Sequence, residues 1–380
     1  MKIKFGLTIL VVLVGAVALT QLVFAEEKLP VIRANSTKVS IRDGYAFWKS
    51  YWNVDPEVKP NVYTTSRKYE ESMFSTDLES ISFTVKPNKP YRFIILLNGK
   101  DSVLTEIAYV PSYLETLKRA AKYNVNDGRI IPKFTYQSAE NPNLQSLRKH
   151  YKLDSIAGKG SEFSQVVKVL SWLHNLVPHD GMHRNPEKMN AESMISVCKS
   201  EKRGLNCRGL AITLNECYLS LGFKSRYVTC LPKDSLKIDT DCHVINMVYL
   251  NSLKKWIWID PTNNAYVMNE KGVPLSIEEV RQRIIENKPL EVNKEANWNN
   301  KTRVVKEEYL FSYMAKNLYM LECPVVSEYD IETPKQNKFP DRAKSAEYIK
   351  LIPVDYFVQK PDKQGNSYIT NNSKLFWAKP

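Results

Sequence analysis

Between residues 203 and 262 the chain passes from a helical period to three β-like runs in quick succession, and that order narrows the fold more than any other feature. In RGLNCRGLAITLNECYLSLGF (203–223), Cys207, Leu210, Leu214, Cys217 and Leu221 are spaced three and four apart, which places them on one buried stripe of a helix. Gly222 follows the last of them, where helices commonly close on a left-handed residue. Next come SRYVTCL (225–231), CHVINMVYL (242–250) and KWIWID (255–260), rich in β-branched and aromatic residues. A helix with one apolar stripe must bury it against another layer, so the expected class is α+β, with the helix lying on an antiparallel sheet.

Cys207 stands at the head of that helix. Cysteine is a common core residue, and Cys217 in the middle of the stripe reads as packing. The helix terminus sets Cys207 apart, because first-turn N–H groups lack intrahelical partners and favour a thiolate by ~0.3–1 kcal/mol. That alone does not make a nucleophile, which ordinarily needs a neighbouring imidazolium. A two-residue turn at Asn251-Ser252 pairs Leu250 with Leu253 and sets His243 directly opposite Asp260, both on one face of the sheet. Taken singly, His243 reads as a core histidine and Asp260 as the turn residue of Asp-Pro-Thr. With Cys207 they have the composition of a nucleophile, a base and its orienting carboxylate. His174 falls on a helix, while His179 and His183 sit in a polar loop and read as surface groups.

The blocks Gly204-Leu-Asn-Cys207-Arg-Gly-Leu-Ala211, Leu219-Ser-Leu-Gly222-Phe-Lys-Ser-Arg226, His243-Val-Ile-Asn-Met-Val-Tyr249 and Trp258-Ile-Asp260-Pro-Thr262 resemble the transglutaminase-like superfamily of the papain-like fold. The likeness spans roughly residues 160–270. It implies that Cys207 attacks an amide carbonyl, that His243 moves the proton, that Asp260 orients the imidazole, and that the intermediate is a thioester. The backbone N–H of Cys207 is then one oxyanion donor, with Trp172, His174 and Asn175 as candidates for the second. The sequence departs from the family at Val244-Ile245, which alters the wall of the acyl-binding cleft. Water as acceptor gives an amidase or peptidase, the preferred reading, and an amine gives a cross-linking acyltransferase. A non-catalytic binding module on the same fold is the reading from another class.

The start, MKIKFGLTILVVLVGAVALTQLVFAEE, has Lys2 and Lys4, an apolar run and Val-Phe-Ala before two glutamates, the layout of a secretory signal peptide cut after Ala25. Gln21 interrupts the run, so no stable membrane span is expected after cleavage, and the product is expected to be periplasmic or extracellular. The net charge of +13 is spread among acids and not gathered in blocks, which reads as a general bias towards acidic surfaces and not as a nucleic-acid footprint; a peptide or protein substrate is what the family resemblance implies. Cys198, Cys207, Cys217, Cys230, Cys242 and Cys323 are too few for a disulfide scaffold. A Cys230–Cys242 bridge is one reading and free thiols the other. With neither zinc-ligand spacing nor an EF-hand loop, no metal or other cofactor is expected.

Elsewhere ISFTV, YRFIILL and SVLTEIAYV read as strands, the last two joined at Asn98-Gly99. Ser112/Glu115 and Ser276/Glu279 form capping boxes, Asn190 caps a short helix, FSQVVKVLSWLHNLV is amphipathic, and a longer helix is expected near 306–320. Residues 26–80 show no period. The expected division is a signal peptide at 1–25, a β-rich accessory region at 26–150, the transglutaminase-like domain at 151–290, and a helical and tail extension at 291–380.

Overall fold

The computed structural model of the protein describes residues 28–43, 46–237, 240–334, 346–359 and 363–380. The expected signal peptide lies outside them. Among the described residues, no helix is long and apolar enough to cross a membrane. The chain forms two compact units that divide between Val110 and Pro111.

The first unit contains strands β1 (Val31–Ala34), β2 (Lys38–Asp43), β3 (Ala46–Asn53), β4 (Asn61–Thr65), β5 (Glu71–Ser75), β6 (Ser80–Thr84), β7 (Tyr91–Leu97) and β8 (Asp101–Tyr109). They make two four-stranded sheets, ordered β1-β7-β8-β4 and β3-β2-β5-β6. The two sheets share a core that includes Ile41, Phe74, Phe93, Ile95 and Val103, as alternating strands require when each sheet has one inner face. The β7–β8 hairpin turns on Asn98 and Gly99, both left-handed. Strands β1 and β4 escaped sequence reading because their pairings are remote: β1 lies parallel to β7, and β4 parallel to β8.

The second unit begins with α1 (Tyr113–Arg119), the short strand β9 (Thr135–Tyr136), α2 (Pro142–His150), α3 (Leu153–Ala157), α4 (Glu162–Leu176), α5 (Ala191–Glu201) and α6 (Cys207–Ser220). Strands β10 (Ser225–Leu231), β11 (His243–Leu250) and β12 (Lys255–Ile259) follow. Two short hairpin-like pairs come next, β13 (Val267–Met268) with β14 (Glu291–Val292), and β15 (Asn297–Trp298) with β16 (Thr302–Arg303). Helix α7 (Ile277–Ile285) lies between β13 and β14 in sequence. The chain then adds β17 (Met320–Pro324), β18 (Val326–Ser327), β19 (Tyr348–Leu351), β20 (Lys363–Gln364) and β21 (Ser367–Thr370). The main sheet runs β12-β11-β10-β17-β19-β21-β20 and is antiparallel except for the parallel pair β19–β21.

The α+β expectation therefore holds, with helix on sheet, but the units differ from the expected division. Residues 111–150 belong to the second unit, and four strands of the main sheet come from beyond residue 290. Pairing of β10 with β17 joins residues about ninety positions apart, which no local period reveals.

Helix α6 is buried on every side from Gly209 to Ser220, more than its apolar stripe implies. Its polar positions are bonded inward: Glu216 accepts from the Ala191 and Asp330 N–H groups, and Asn215 donates to Ser327. It shares one core with Val244, Val248, Ile257 and Ile259 of the sheet. Ile245, Met247, Trp256 and Trp258 point the other way, into a second core with α7 and the segment 307–318. That segment was expected to be a regular helix. Instead Glu307–Met314 is wound as a π-helix before a final α-turn at Ala315–Asn317.

The β11–β12 register also differs from the expected one. Leu250 pairs with Lys255 and Asn246 with Ile259, so the turn holds four residues, Asn251–Lys254, and not two. Glu162 at the start of α4 fixes this wider turn, accepting hydrogen bonds from Asn251 Nδ2 (3.0 Å), Ser252 N (2.7 Å) and Ser252 Oγ (2.6 Å). His243 and Asp260 are thus not directly opposite. A slip of two residues keeps the facing parity, whereas a slip of one would have reversed it, so both side chains still lie on one side.

Candidate active site

The position of Cys207 is built by the loop before it. Asn206 is the N-cap of α6, and its Oδ1 accepts from Gly209 N at 3.1 Å, as a capping side chain should. Asn185 holds the cap in turn: its Nδ2 donates to Asn206 Oδ1 (2.7 Å), and its Oδ1 accepts from Asn206 N (3.1 Å). A Cβ at residue 209 would stand 2.6 Å from Asn185 Oδ1, so glycine is what admits this clamp. One step earlier, Leu205 donates to Pro178 O (3.1 Å) and accepts from Asp180 N (2.7 Å). Gly204 permits that approach, since a Cβ there would overlap Pro178 O and lie 2.8 Å from Asp180 Cβ.

His243 opens β11, and its Nε2 is 2.7 Å from Asp260 Oδ2. Asp260 is completely buried just beyond the end of β12, where its backbone makes reciprocal hydrogen bonds with Ala265. Oδ1 accepts from the N–H groups of Thr262 (2.9 Å) and Asn263 (3.3 Å). Oδ2 also accepts from Asn263 Nδ2 (2.9 Å) and from Tyr309 OH (2.6 Å), while Trp258 Nε1 donates to that hydroxyl at 3.2 Å. Tyr313, one π-helical turn on, meets the His243 ring edge-on at 5.3 Å. With Nε2 committed to the carboxylate, Nδ1 is the nitrogen left for the cysteine.

Cys207, His243, His179, Cys242, Trp298 and Tyr313 are among the residues lining one cleft of about 620 Å³. The Cys207 thiol is half-buried, and burial opposes its ionisation. Hydrogen bonds to His179 and His243, the charge on His243 and the Val244 N–H outweigh that penalty and bring it down to about 6. For His243, burial likewise favours the neutral ring, but the charge and hydrogen bond of Asp260, and then Cys207, push it up to about 10. Burial would raise the Asp260 carboxyl, yet the charge and hydrogen bond of His243, with Tyr309 and Asn263, hold it below the usual carboxylate range. The other five thiols go the opposite way. Burial pushes Cys198, Cys217 and Cys230 up, Cys242 to about 11 and Cys323 to about 12. Cys207 alone combines access with a stabilised thiolate.

Residues 149–261 match the family model of the transglutaminase-like superfamily core. The chain carries a transglutaminase-like domain. The matched stretch runs from the end of α2 through α6 and β10–β12, and it contains Cys207, His243 and Asp260. No curated protein matches the chain. Among solved structures, it is similar to a candidate cysteine protease from Cytophaga hutchinsonii at 20% identity, over 37% of this chain and 43% of that one, with a TM-score of 0.25. The alignment thus spans less than half of that protein.

Within the transglutaminase-like domain, the expected second oxyanion donors are placed elsewhere. His174 is buried, with Nδ1 on Pro261 O and Nε2 on Asn297 Oδ1, each at 3.0 Å, so it braces the turn after Asp260. Trp172 packs on Tyr151, and Asn175 is exposed at the end of α4; neither lines the cleft. His183 pairs with Asp180 at 2.5 Å. His179, read from sequence as a surface group, enters the cleft instead. Pairing of 178–180 with Leu205 carries it there, a contact across some 25 residues. All six cysteines are free. Cys230 lies opposite His243 in the ladder, so Cys242 is one residue out of step and faces the other side, where it packs beside Leu231 and Met320. Among the described residues, no group of three or more His, Cys, Asp or Glu side chains could hold a metal ion.

Proposed function

We propose that the transglutaminase-like domain is a cysteine-dependent amidase or peptidase acting on peptide or protein amides, with Cys207 as nucleophile, His243 as acid–base and Asp260 as its orienting carboxylate. The observation that carries this reading is the meeting, in one open cleft, of a half-buried thiol at a helix N-terminus with an imidazole fixed 2.7 Å from a buried carboxylate.

The Cys207 thiolate adds to the amide carbonyl carbon, and the π pair of the C=O bond moves to oxygen. Collapse of that oxyanion breaks the C–N bond, and the proton on His243 goes to the departing amine. A thioester is left on Cys207. Water then adds with loss of its proton to His243, and the carboxylic acid leaves as the thiolate returns. An amine in place of that water gives acyl transfer by the same steps. The Cys207 N–H, in the first turn of α6, offers one hydrogen bond to the oxyanion.

Mass spectrometry of a peptide library incubated with the protein, with and without added primary amine, tests the reading. Shortened or deamidated products that disappear in Cys207→Ala support hydrolysis, and amine adducts support transfer. A library left unchanged under both conditions counts against catalysis and for a binding module. The leader at residues 1–25 supports action outside the cytoplasm. The mass of the mature protein tests this, with Glu26 expected as its first residue.

A further inference from the structure

His179 enters the cleft from the segment after α4 and is held more firmly than a surface loop residue. Its N–H donates to Asn299 Oδ1 (2.6 Å), and its carbonyl accepts from Asn299 Nδ2 (2.9 Å). On either side of it, Pro178 O and Asp180 N bond to Leu205, two residues before Cys207. The β15–β16 hairpin supplies Asn299 and also Trp298, whose Nε1 lies 3.3 Å from His179 Nδ1, with the two rings edge to face at 6.4 Å. An indole N–H can only donate, so Nδ1 accepts and the ring carries its proton on Nε2. The ring lines the same cleft as Cys207 and favours its thiolate, and with Nδ1 taken by the indole, Nε2–H is the donor left to it.

The position of acid–base is already filled by His243. Asp180, next to His179 in the chain, bonds to His183 and not to His179. A histidine presenting a fixed N–H beside the nucleophile is built to donate. When sulfur adds to a carbonyl, the negative charge passes from sulfur to the adjoining oxygen, and a donor aimed at the one is placed for the other. We propose that His179 Nε2–H is the second oxyanion donor of the cleft, beside the Cys207 N–H, with Trp298 and Asn299 as its positioning residues. This rests on the reading of Cys207 as nucleophile.

Two probes of Cys207 in the full-length protein separate the ideas, both applied between the thiol and imidazole titrations and followed by intact mass, with Cys207→Ala as blank. Acylation by p-nitrophenyl acetate passes through a tetrahedral oxyanion: sulfur bonds to the carbonyl carbon, charge gathers on oxygen, and p-nitrophenolate leaves with the C–O bond pair. Alkylation by iodoacetamide displaces iodide at a saturated carbon and forms no oxyanion. His179→Ala is expected to slow acylation by about 10²-fold while alkylation changes little, which also reports an intact fold. His179→Gln, which keeps a side-chain N–H, should recover much of the acylation rate, and Trp298→Phe should lower acylation selectively. Equal losses of acylation and alkylation in His179→Ala, or no loss in either, overturn the assignment. If wild-type Cys207 is acylated no faster than the other cysteines, the nucleophile reading fails, a result that needs no His179 variant to recognise.

Discussion

Cys207 differs from the other cysteines in what surrounds it, not in what it is. Burial raises every other thiol, whereas two imidazoles and a backbone N–H lower this one to about 6 and Asp260 raises its partner His243 to about 10. In the proposed mechanism the competent pair is thiolate with imidazolium. Acyl transfer to an amide should therefore rise as pH climbs through about 6, hold level, and fall near 10 as His243 loses the proton owed to the leaving amine; a pH–rate profile checks both limbs. Tyr309 is the residue whose importance sequence conceals, since only the π-helix brings its hydroxyl to the buried Asp260. Tyr309→Phe removes a hydrogen bond to that carboxylate and strands the Trp258 N–H. Denaturant titration should show a loss of about 1–3 kcal/mol.

At the scale of elements, two glycines let loops meet the helix that carries Cys207. Gly204→Ala sets a methyl group against the Pro178 carbonyl, so the 178–180 segment must withdraw and take His179 with it. About 1–3 kcal/mol of stability should be lost, and Cys207 acylation should fall further than the stability loss explains. Asn206→Ala removes the cap itself and should cost about 1 kcal/mol, measured by thermal or denaturant unfolding. Local signals announced this helix well: its apolar period, its closing Gly222 and the cysteine at its first position all stand in the sequence. The capping boxes at Ser112 and Ser276 and the left-handed pair Asn98-Gly99 were equally legible, because each is settled within a few residues. What was not legible depends on remote pairing. His179 needs Leu205, the wide β11–β12 turn needs Glu162, and Tyr309 needs a helix wound to an unusual period. His243 and Asp260 could be assigned to one face despite the wrong register only because the error was an even number of residues.

For the whole molecule, the same limit hid the depth to which the C-terminal residues enter the second unit. Arg226 in β10 is fully buried between the rings of Phe134 and Trp256, at 3.7 and 4.7 Å, and donates to Phe376 O at 3.2 Å. Trp256 Nε1 donates to Ala378 O. Deleting residues 373–380 would leave that guanidinium short of an acceptor inside the core, so the truncated protein should melt at clearly lower temperature than the full chain in calorimetry. Every residue lining the cleft belongs to the second unit, and residues 111–380 expressed alone should keep the reactivity of Cys207. That reactivity is where the account is most exposed. The pH dependence of Cys207 alkylation by iodoacetamide, read by mass spectrometry in wild type and in His243→Ala, tests it most directly. The predicted result is a wild-type midpoint of about 6 that moves up into or beyond the ordinary thiol range when the imidazole is removed. A wild-type Cys207 that titrates like a free thiol, or a midpoint unmoved in His243→Ala, would contradict the account.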